Sequence, residues 1–518
     1  MIRSFLRDNY FAIGFTLLYA LLLAWLMQYH EMWFDETEPW LLALYSDTYG
    51  ELLDNKRFEG HPNLWYSLLF VITKFTSNLK VLQVTQALFA ISFVFVFLRF
   101  SPYPKVIRLM VCFGYYGLFE YGIISRLYAI ELFFLFLACT FYPKRFSHWY
   151  WYLTLLVLLA QTNLFAFFMA GVLGLLLFSE AVKFWKSSPH WMPLSSLKLI
   201  AGAIILAAGY LLSLWSMVRP NESNESTFTL FHPYYLYQAA ARVWQAFAPV
   251  PEFTTTFWNT SYLPTRFEIL LSAIIIGILF AAFFRTKRLL FSLFLLFFAS
   301  FCLFVLKMEG SMRHHAHFFF FTIAFLWIKT HYTQTYSSPS PPIPFQQKLA
   351  PVLRTLLIIA AFFQVIAGIY ALVIDWQHPF FEGKKVAAFL RSLPRNYSIA
   401  TDDGVVSSNI TAYLGKPIYN LPTGNLKSFY TLNPNEVNDL KQNVLLEWAM
   451  ALAQQKSTPV ILVCRYELPF QWASIPIRPI AIFRGNSITP YAFFIYKINP
   501  LAIAPKQMVA EYPAVKAY

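Results

Sequence analysis

The stretch YFAIGFTLLYALLLAWLM, residues 10–27, runs for eighteen positions without a charge. A helix needs about 20 apolar residues to cross a hydrocarbon core of roughly 30 Å. Uncharged runs of the same kind recur at residues 81–98, 199–218, 269–284, 289–306 and 355–374, and at 127–142 if Glu131 is tolerated inside it. Residues 149–160 and 164–178, separated by the polar turn 161–163, read as a helical hairpin, and two shorter runs lie at 109–119 and 318–328. Length alone therefore predicts about eleven spans. Arg3 and Arg7 precede the first run in the manner of a signal peptide, but no small-residue cleavage site closes it, so an uncleaved first helix is expected.

Bulk composition points the same way. Of 518 residues, 58% are hydrophobic, 13% are charged and 19% are aromatic, with a mean hydropathy of +0.50. Soluble chains carry about 25% charged residues, and Trp and Tyr favour the membrane–water boundary. A net charge of +14 would suggest nucleic acid in a soluble chain; here the positive-inside rule explains it, and no nucleic-acid partner is expected. Cys112, Cys139, Cys302 and Cys464 show no CxxC spacing and no disulfide framework.

The basic loops set the orientation. Arg3 and Arg7; Arg99, Lys105 and Arg108; Lys144 and Arg145; Lys183, Lys186 and Lys198; Arg285, Lys287 and Arg288; and Lys329, Lys348 and Arg354 all fall on one side. That places the N-terminus inside and residues 375–518 outside. Residues 63–75 are apolar enough to compete as a span, but counting them would turn every following basic loop outward, so a short interfacial or re-entrant helix is expected there. The outer loops are 28–80 and 219–266, and the Ser/Pro-rich stretch 333–347 reads as a linker. The expected fold is thus an α-helical polytopic membrane domain, residues 1–374, followed by a small extracytoplasmic α/β domain, residues 375–518. In the latter, helices are expected at 384–393 and 438–454 and strands at 398–401, 459–464, 477–483 and 491–498.

Chemistry concentrates in the first outer loop, which holds WFDETEPW (33–40) and ends in RFEGHPNLWY (57–66). Asp35 and Glu36 are adjacent, and adjacent carboxylates can divide labour, one as base and one as hydrogen-bond acceptor; a solvated acidic loop is the competing reading. His61 sits between a glycine that permits a sharp turn and a proline that favours extended backbone. It could donate to a phosphate or carry a proton, or simply hold the loop. The two short runs add cations. Eleven residues cover about 16 Å, so run 109–119 must continue into 120–126, and run 318–328 must begin within 307–317. Both continuations face the same side as the acidic loop. Ionisable residues at such depth should line a protein-walled cavity. Arg126 and Arg313 are natural anion binders there, His314 and His315 add donors, and Glu131 is a candidate partner for Arg126. Structural ion pairing between helices is the alternative. Together these parts suit a lipid phosphate, with its tail in the bilayer and its phosphate on arginine.

These residues carry a resemblance to the GT-C superfamily of integral membrane glycosyltransferases, in particular its bacterial branch related to protein O-mannosyltransferases and lipid A aminoarabinose transferases. A group of bacterial membrane proteins within it carries W-x-D-E-x-x-x-W and then R-x-E-G-H-P-P-L-W-Y, matched here by residues 33–40 and 57–66. The group's R-x-Y-A element is similar to RLYA (126–129), and its R-H-H-G element to RHHA (313–316). A weaker similarity continues in residues 379–390.

The resemblance implies transfer of a sugar from a polyprenyl-phosphate donor, with inversion, to a lipid, glycan or protein acceptor outside a bacterial cytoplasmic membrane. It implies Asp35 as the catalytic base, Glu36 as an acceptor-binding residue, Arg126 and Arg313 as phosphate ligands, and Tyr128, His61, His314 and His315 as further site residues. No cofactor is implied; distant members bind a divalent metal through such carboxylates, but Asp35, Glu36 and Glu38 alone assign none. Two departures stand out: Asn63 replaces the second proline of HPP, and Ala316 replaces a glycine whose positive φ alanine would resist. The main rival is a transporter or lipid flippase with a charged outer cavity, although no two-half repeat is visible; a non-catalytic assembly protein ranks third. Asn221, Asn224 and Asn259 are N-x-S/T sequons in the second outer loop.

Overall fold

In the computed structural model the 10–27 run lies within α1 (Ile2–Leu26), and residues 2–187, 195–218, 232–336, 344–394, 396–431, 441–468, 471–472, 475–476 and 478–500 are described. Three short helices follow, α2 (Phe34–Leu44), α3 (Tyr49–Lys56) and α4 (Leu64–Thr73). At ten residues α4 (residues 64–73, within the expected 63–75) covers about 15 Å, short of a hydrocarbon core of roughly 30 Å. Then come α5 (Lys80–Phe100), α6 (Lys105–Phe113), α7 (Tyr128–Phe141), α8 (Trp149–Ala160), α9 (Leu164–Ser187), α10 (Ser196–Met217), α11 (Pro233–Phe247), α12 (Thr265–Phe283), α13 (Lys287–Leu306), α14 (Met312–Tyr336) and α15 (Pro344–Gln377).

Among the described residues, eight helical stretches are long and apolar enough to cross a membrane. They lie in α1, α5, α6 with its continuation, α9, α10, α12, α13 and α15. The three other expected spans fall on α7, of 14 residues, α8, of 12, and α14, of 25. The first two are short, and the third carries Arg313, His314, His315 and His317 in its first turns.

Run 109–119 does continue, as expected, but not as an α-helix. After Gly114 the chain enters a π-helical segment, Tyr115–Ile123, whose every residue is buried. A side chain at Gly117 would place its Cβ 2.2 Å from the Val111 carbonyl, so this transition requires glycine. The expected linker is shorter than 333–347, since α14 runs to Tyr336 and α15 begins at Pro344; residues 337–343 lie outside the described set. The sequons at Asn221 and Asn224 also lie outside it.

The C-terminal part is α/β. It comprises α16 (Gly383–Ser392), β1 (Ser398–Thr401), α17 (Gly404–Leu414), β2 (Ile418–Asn420), β3 (Asn425–Lys427), α18 (Gln442–Lys456), β4 (Val460–Cys464), β5 (Gln471–Trp472), β6 (Ile475–Pro476), β7 (Pro479–Phe483) and β8 (Phe493–Ile498). Six of these strands form one sheet, ordered β3-β2-β1-β4-β8-β7, with β1 parallel to both β2 and β4. Strand alternation divides the packing. Ile461 and Val463 of β4 face a core continuous with the helical bundle, whereas Val460, Leu462 and Cys464 face a second core under α18. Thus α17 is held between the sheet and the acid-bearing helix α2. Asn409 Nδ2 donates to the Met32 carbonyl at 2.5 Å, Met32 N–H donates to Tyr413 Oη at 3.0 Å, and Tyr430 N–H donates to Glu38 Oε1 at 2.9 Å.

Candidate functional site

Asp35 stands in the first turn of α2, its side chain 29% exposed. Two arginines from distant parts of the chain converge on it. Arg313 Nη2 donates to Asp35 Oδ2 at 3.0 Å, and Arg126 approaches the same oxygen at 3.9 Å while donating to the Asp35 carbonyl. The Arg313 guanidinium lies over the rings of Trp33 and Trp258, at 5.2 and 5.6 Å. Arg126 Nε, Arg313 Nε and Arg313 Nη1 are buried and meet no protein acceptor among the described residues. Buried guanidinium N–H groups normally find acceptors, so this corner has donor capacity left for an anion.

The supports of both arginines are built into the fold. Asn259, at φ +65°, turns its Oδ1 to accept from the Met312 N–H at 3.1 Å, fixing the start of α14. Trp258 Nε1 donates to Glu120 Oε2 at 3.0 Å, as does Tyr115 Oη at 3.0 Å, and Tyr121 Oη donates to the Arg313 carbonyl at 2.6 Å. The π-helical segment thus carries Glu120 to Trp258 and Tyr121 to α14, and delivers Ser125 and Arg126 to the turn ahead of α7. Tyr128, the first residue of α7, is buried and stacks on Tyr121 with 4.9 Å between centroids.

Glu36 is not placed for an acceptor. It is fully buried, and protein donors take both its oxygens: Oε1 accepts from the Trp33 N–H and from His30 Nε2, each at 3.0 Å, and Oε2 from the Ser125 N–H at 2.5 Å. The other ring nitrogen of His30 meets Asp375 at 3.0 Å. Burial works against charge on His30, but Asp375 and Glu36 outweigh it and push the imidazole up to about 10. Glu131 also departs from expectation. Its Oε2 takes Asn163 Nδ2 at 2.5 Å and His317 Nε2 at 3.0 Å rather than Arg126.

The remaining expected residues separate along α14. His314 shares the Arg313 side: its Nδ1 accepts from the Ser311 N–H at 3.0 Å, and its ring lies 6.2 Å from that of Tyr128. His61 is near enough to act on it electrostatically. His315, two residues beyond Arg313 and so about 200° around the helix, packs edge-on against Phe304 at 5.3 Å. It lies near Arg242, and the structure does not bring it to Asp35. Ala316 is an ordinary buried helical residue, so no positive φ is needed there.

The loop carrying His61 turns at Gly60, φ +69°. It is clamped by the buried Lys56, whose Nζ donates to the His61 carbonyl and to Asn63 Oδ1, both at 2.6 Å, so Asn63 supplies an acceptor that proline lacks. Glu59 joins the site unannounced: Tyr66 Oη donates to its Oε2 at 3.3 Å, and Arg126 and Asp35 act on it. Enclosure raises its carboxyl to about 7, Arg126 opposing and Asp35 adding to the rise. Among the described residues no three His, Cys, Asp or Glu side chains gather as a metal-binding group. The arrangement therefore combines an accessible carboxylate with two guanidiniums that retain free donors. No protein-family model matches this chain, and no curated protein matches it.

Proposed function

We propose that the chain is an integral membrane glycosyltransferase of GT-C type, transferring a sugar from a polyprenyl-phosphate donor to an extracytoplasmic lipid, glycan or protein acceptor with inversion. The carrying observation is the pairing of Asp35 with Arg126 and Arg313, whose Nε and Nη1 groups are buried without protein acceptors among the described residues. A phosphate ester offers the oxygens those donors lack, and guanidinium forks suit it. Asp35 Oδ2 is engaged by arginine, leaving Oδ1 for the acceptor.

In the proposed step the acceptor's O–H proton passes to Asp35 as its oxygen bonds to the anomeric carbon from the face opposite the phosphate. The carbon–phosphate-oxygen bond breaks with its electron pair leaving on the phosphate, whose growing charge Arg126 and Arg313 stabilise. Tyr128, His314 and His61 border this centre, and Glu36 serves it as a support.

In this reading α7, α8 and α14 cross the membrane along with the eight long apolar stretches, giving eleven spans. The exposed Leu197, Ile204, Leu211 and Trp215 of α10 suit contact with lipid. With the basic loops inside, Asp35 and the C-terminal sheet lie outside a bacterial cytoplasmic membrane. The test is sugar transfer by purified protein offered a panel of radiolabelled undecaprenyl-phosphate sugars. Asp35→Asn should abolish product while leaving a folded, inserted protein; undiminished product would refute the assignment. Solute movement across proteoliposomes without covalent transfer would favour a transporter.

A further inference from the structure

Arg126 does not stand in a regular helix. It follows the π-helical segment in a short turn, where its own N–H reaches the Ile124 carbonyl at 2.9 Å. Gln86 Nε2 braces one side of that turn, donating to the carbonyls of Tyr121 and Ile124 at 2.8 and 3.0 Å. The other side is braced by a carboxylate: the buried Ser125 N–H, which no helix partner satisfies, donates to Glu36 Oε2. Glu36 is itself fully buried, so its charge needs a cation close by. His30 supplies it at 3.0 Å and is held in turn by Asp375, at the end of α15.

We propose that His30 is a positioning residue for Arg126, acting through Glu36 and the Ser125 backbone, so that the Asp375–His30–Glu36–Ser125 chain sets the guanidinium against the donor phosphate. An imidazolium can donate from both ring nitrogens at once, which a neutral imidazole cannot. With both donated, Glu36 keeps a fixed orientation and one oxygen remains for Ser125. The same carboxylate accepts from the Trp33 N–H at 3.0 Å, which ties it to the start of α2. Asp375 lies just ahead of the segment leading into α16, where the Lys384 N–H is tied back to Glu31 at 2.7 Å. The chain therefore also connects the C-terminal domain's attachment to the arginine turn.

The inference rests on Arg126 being a phosphate ligand. It is tested by the affinity of purified full-length protein for undecaprenyl phosphate in detergent. His30→Gln should weaken binding about tenfold, the scale on which outer partners that orient a ligand act. His30→Gln combined with Arg126→Ala should bind no worse than Arg126→Ala alone. A general loss of structure would not disappear in that background. Asp375→Asn, a milder change should His30→Gln not fold, should give an intermediate loss that likewise vanishes with Arg126→Ala. Unchanged affinity in these variants, or losses that add to that of Arg126→Ala, would overturn the positioning role while leaving the phosphate site standing. Absence of undecaprenyl-phosphate binding by the unmodified protein would overturn both.

Discussion

Arg313→Ala is the substitution whose cost is best worked from the geometry. Arg313 has one donor on Asp35 at 3.0 Å, while Nε and Nη1 are buried without protein acceptors among the described residues. Hydrogen bonds to charged groups contribute about 1.5–3 kcal/mol each. Two of them would give ~3–6 kcal/mol gross. Part of that is offset, because Arg126 remains to hold the phosphate and the variant no longer desolvates a guanidinium when free. A net loss of about 2–3 kcal/mol is expected, or roughly 30- to 150-fold in affinity. Arg313→Lys keeps the charge but loses the fork, and should fall about tenfold. The assay is titration of undecaprenyl phosphate into purified protein at fixed ionic strength, by calorimetry or native mass spectrometry. Lipid affinity within a factor of two of the unmodified protein for Arg313→Ala would refute the phosphate role.

Two further substitutions probe the surrounding structure. Asn63→Pro removes an acceptor from the buried Lys56 Nζ; a loss of about 1–3 kcal/mol is expected as a lowered Tm, and an unchanged Tm would show that the clamp contributes nothing. Asp402, 5% exposed and accepting from the Arg465 N–H, has its carboxyl raised by burial from 3.8 to about 7. The native state therefore holds a proton there that the unfolded chain releases above about pH 4, and stability falls as pH rises toward 7. At about 1.4 kcal/mol per unit, the ceiling is ~4 kcal/mol. Asp402→Asn should raise the Tm at pH 8 and leave it nearly unchanged at pH 4; the reverse order would contradict the sign. For Asp35→Asn and His30→Gln, loss of sugar transfer and loss of lipid affinity are the respective outcomes.

Much of the fold could be read because apolar runs of helical length are long-range signals in themselves. Runs such as 81–98 and 289–306 sit squarely in α5 and α13. The strands β1, β4 and β8 lie at expected positions because short runs rich in β-branched or aromatic residues favour a strand. Helix α17 was missed. Its GVVSSNITAYL reads as strand or turn by propensity, and the signal was local: Asp403 caps it, accepting from the Val405 N–H at 2.8 Å. Nothing in residues 115–123 announces a π-helix, which is set by packing around Gly117 and by Glu120 reaching Trp258.

At the candidate site, Asp35, Arg126 and Arg313, which the structure brings together, stand out in the sequence because charges within apolar surroundings are conspicuous. Their partners were not, since pairing is spatial. His30 and Asp375 are 345 positions apart, and Glu131 bypassed the nearby Arg126 for His317, 186 positions on. His315 was drawn in with Arg313 by adjacency, yet helical geometry turns it to the far side of α14.

The most direct measurement is the position of the phosphorus in a cryo-electron-microscopy reconstruction of the full chain with undecaprenyl phosphate. The expected density lies between the Arg126 and Arg313 guanidiniums, within hydrogen-bonding reach of Arg313 Nε and Nη1, on the side of Asp35 Oδ1. A well-ordered lipid phosphate seated elsewhere, with both arginines still carrying free donors, would contradict a transfer centre at Asp35.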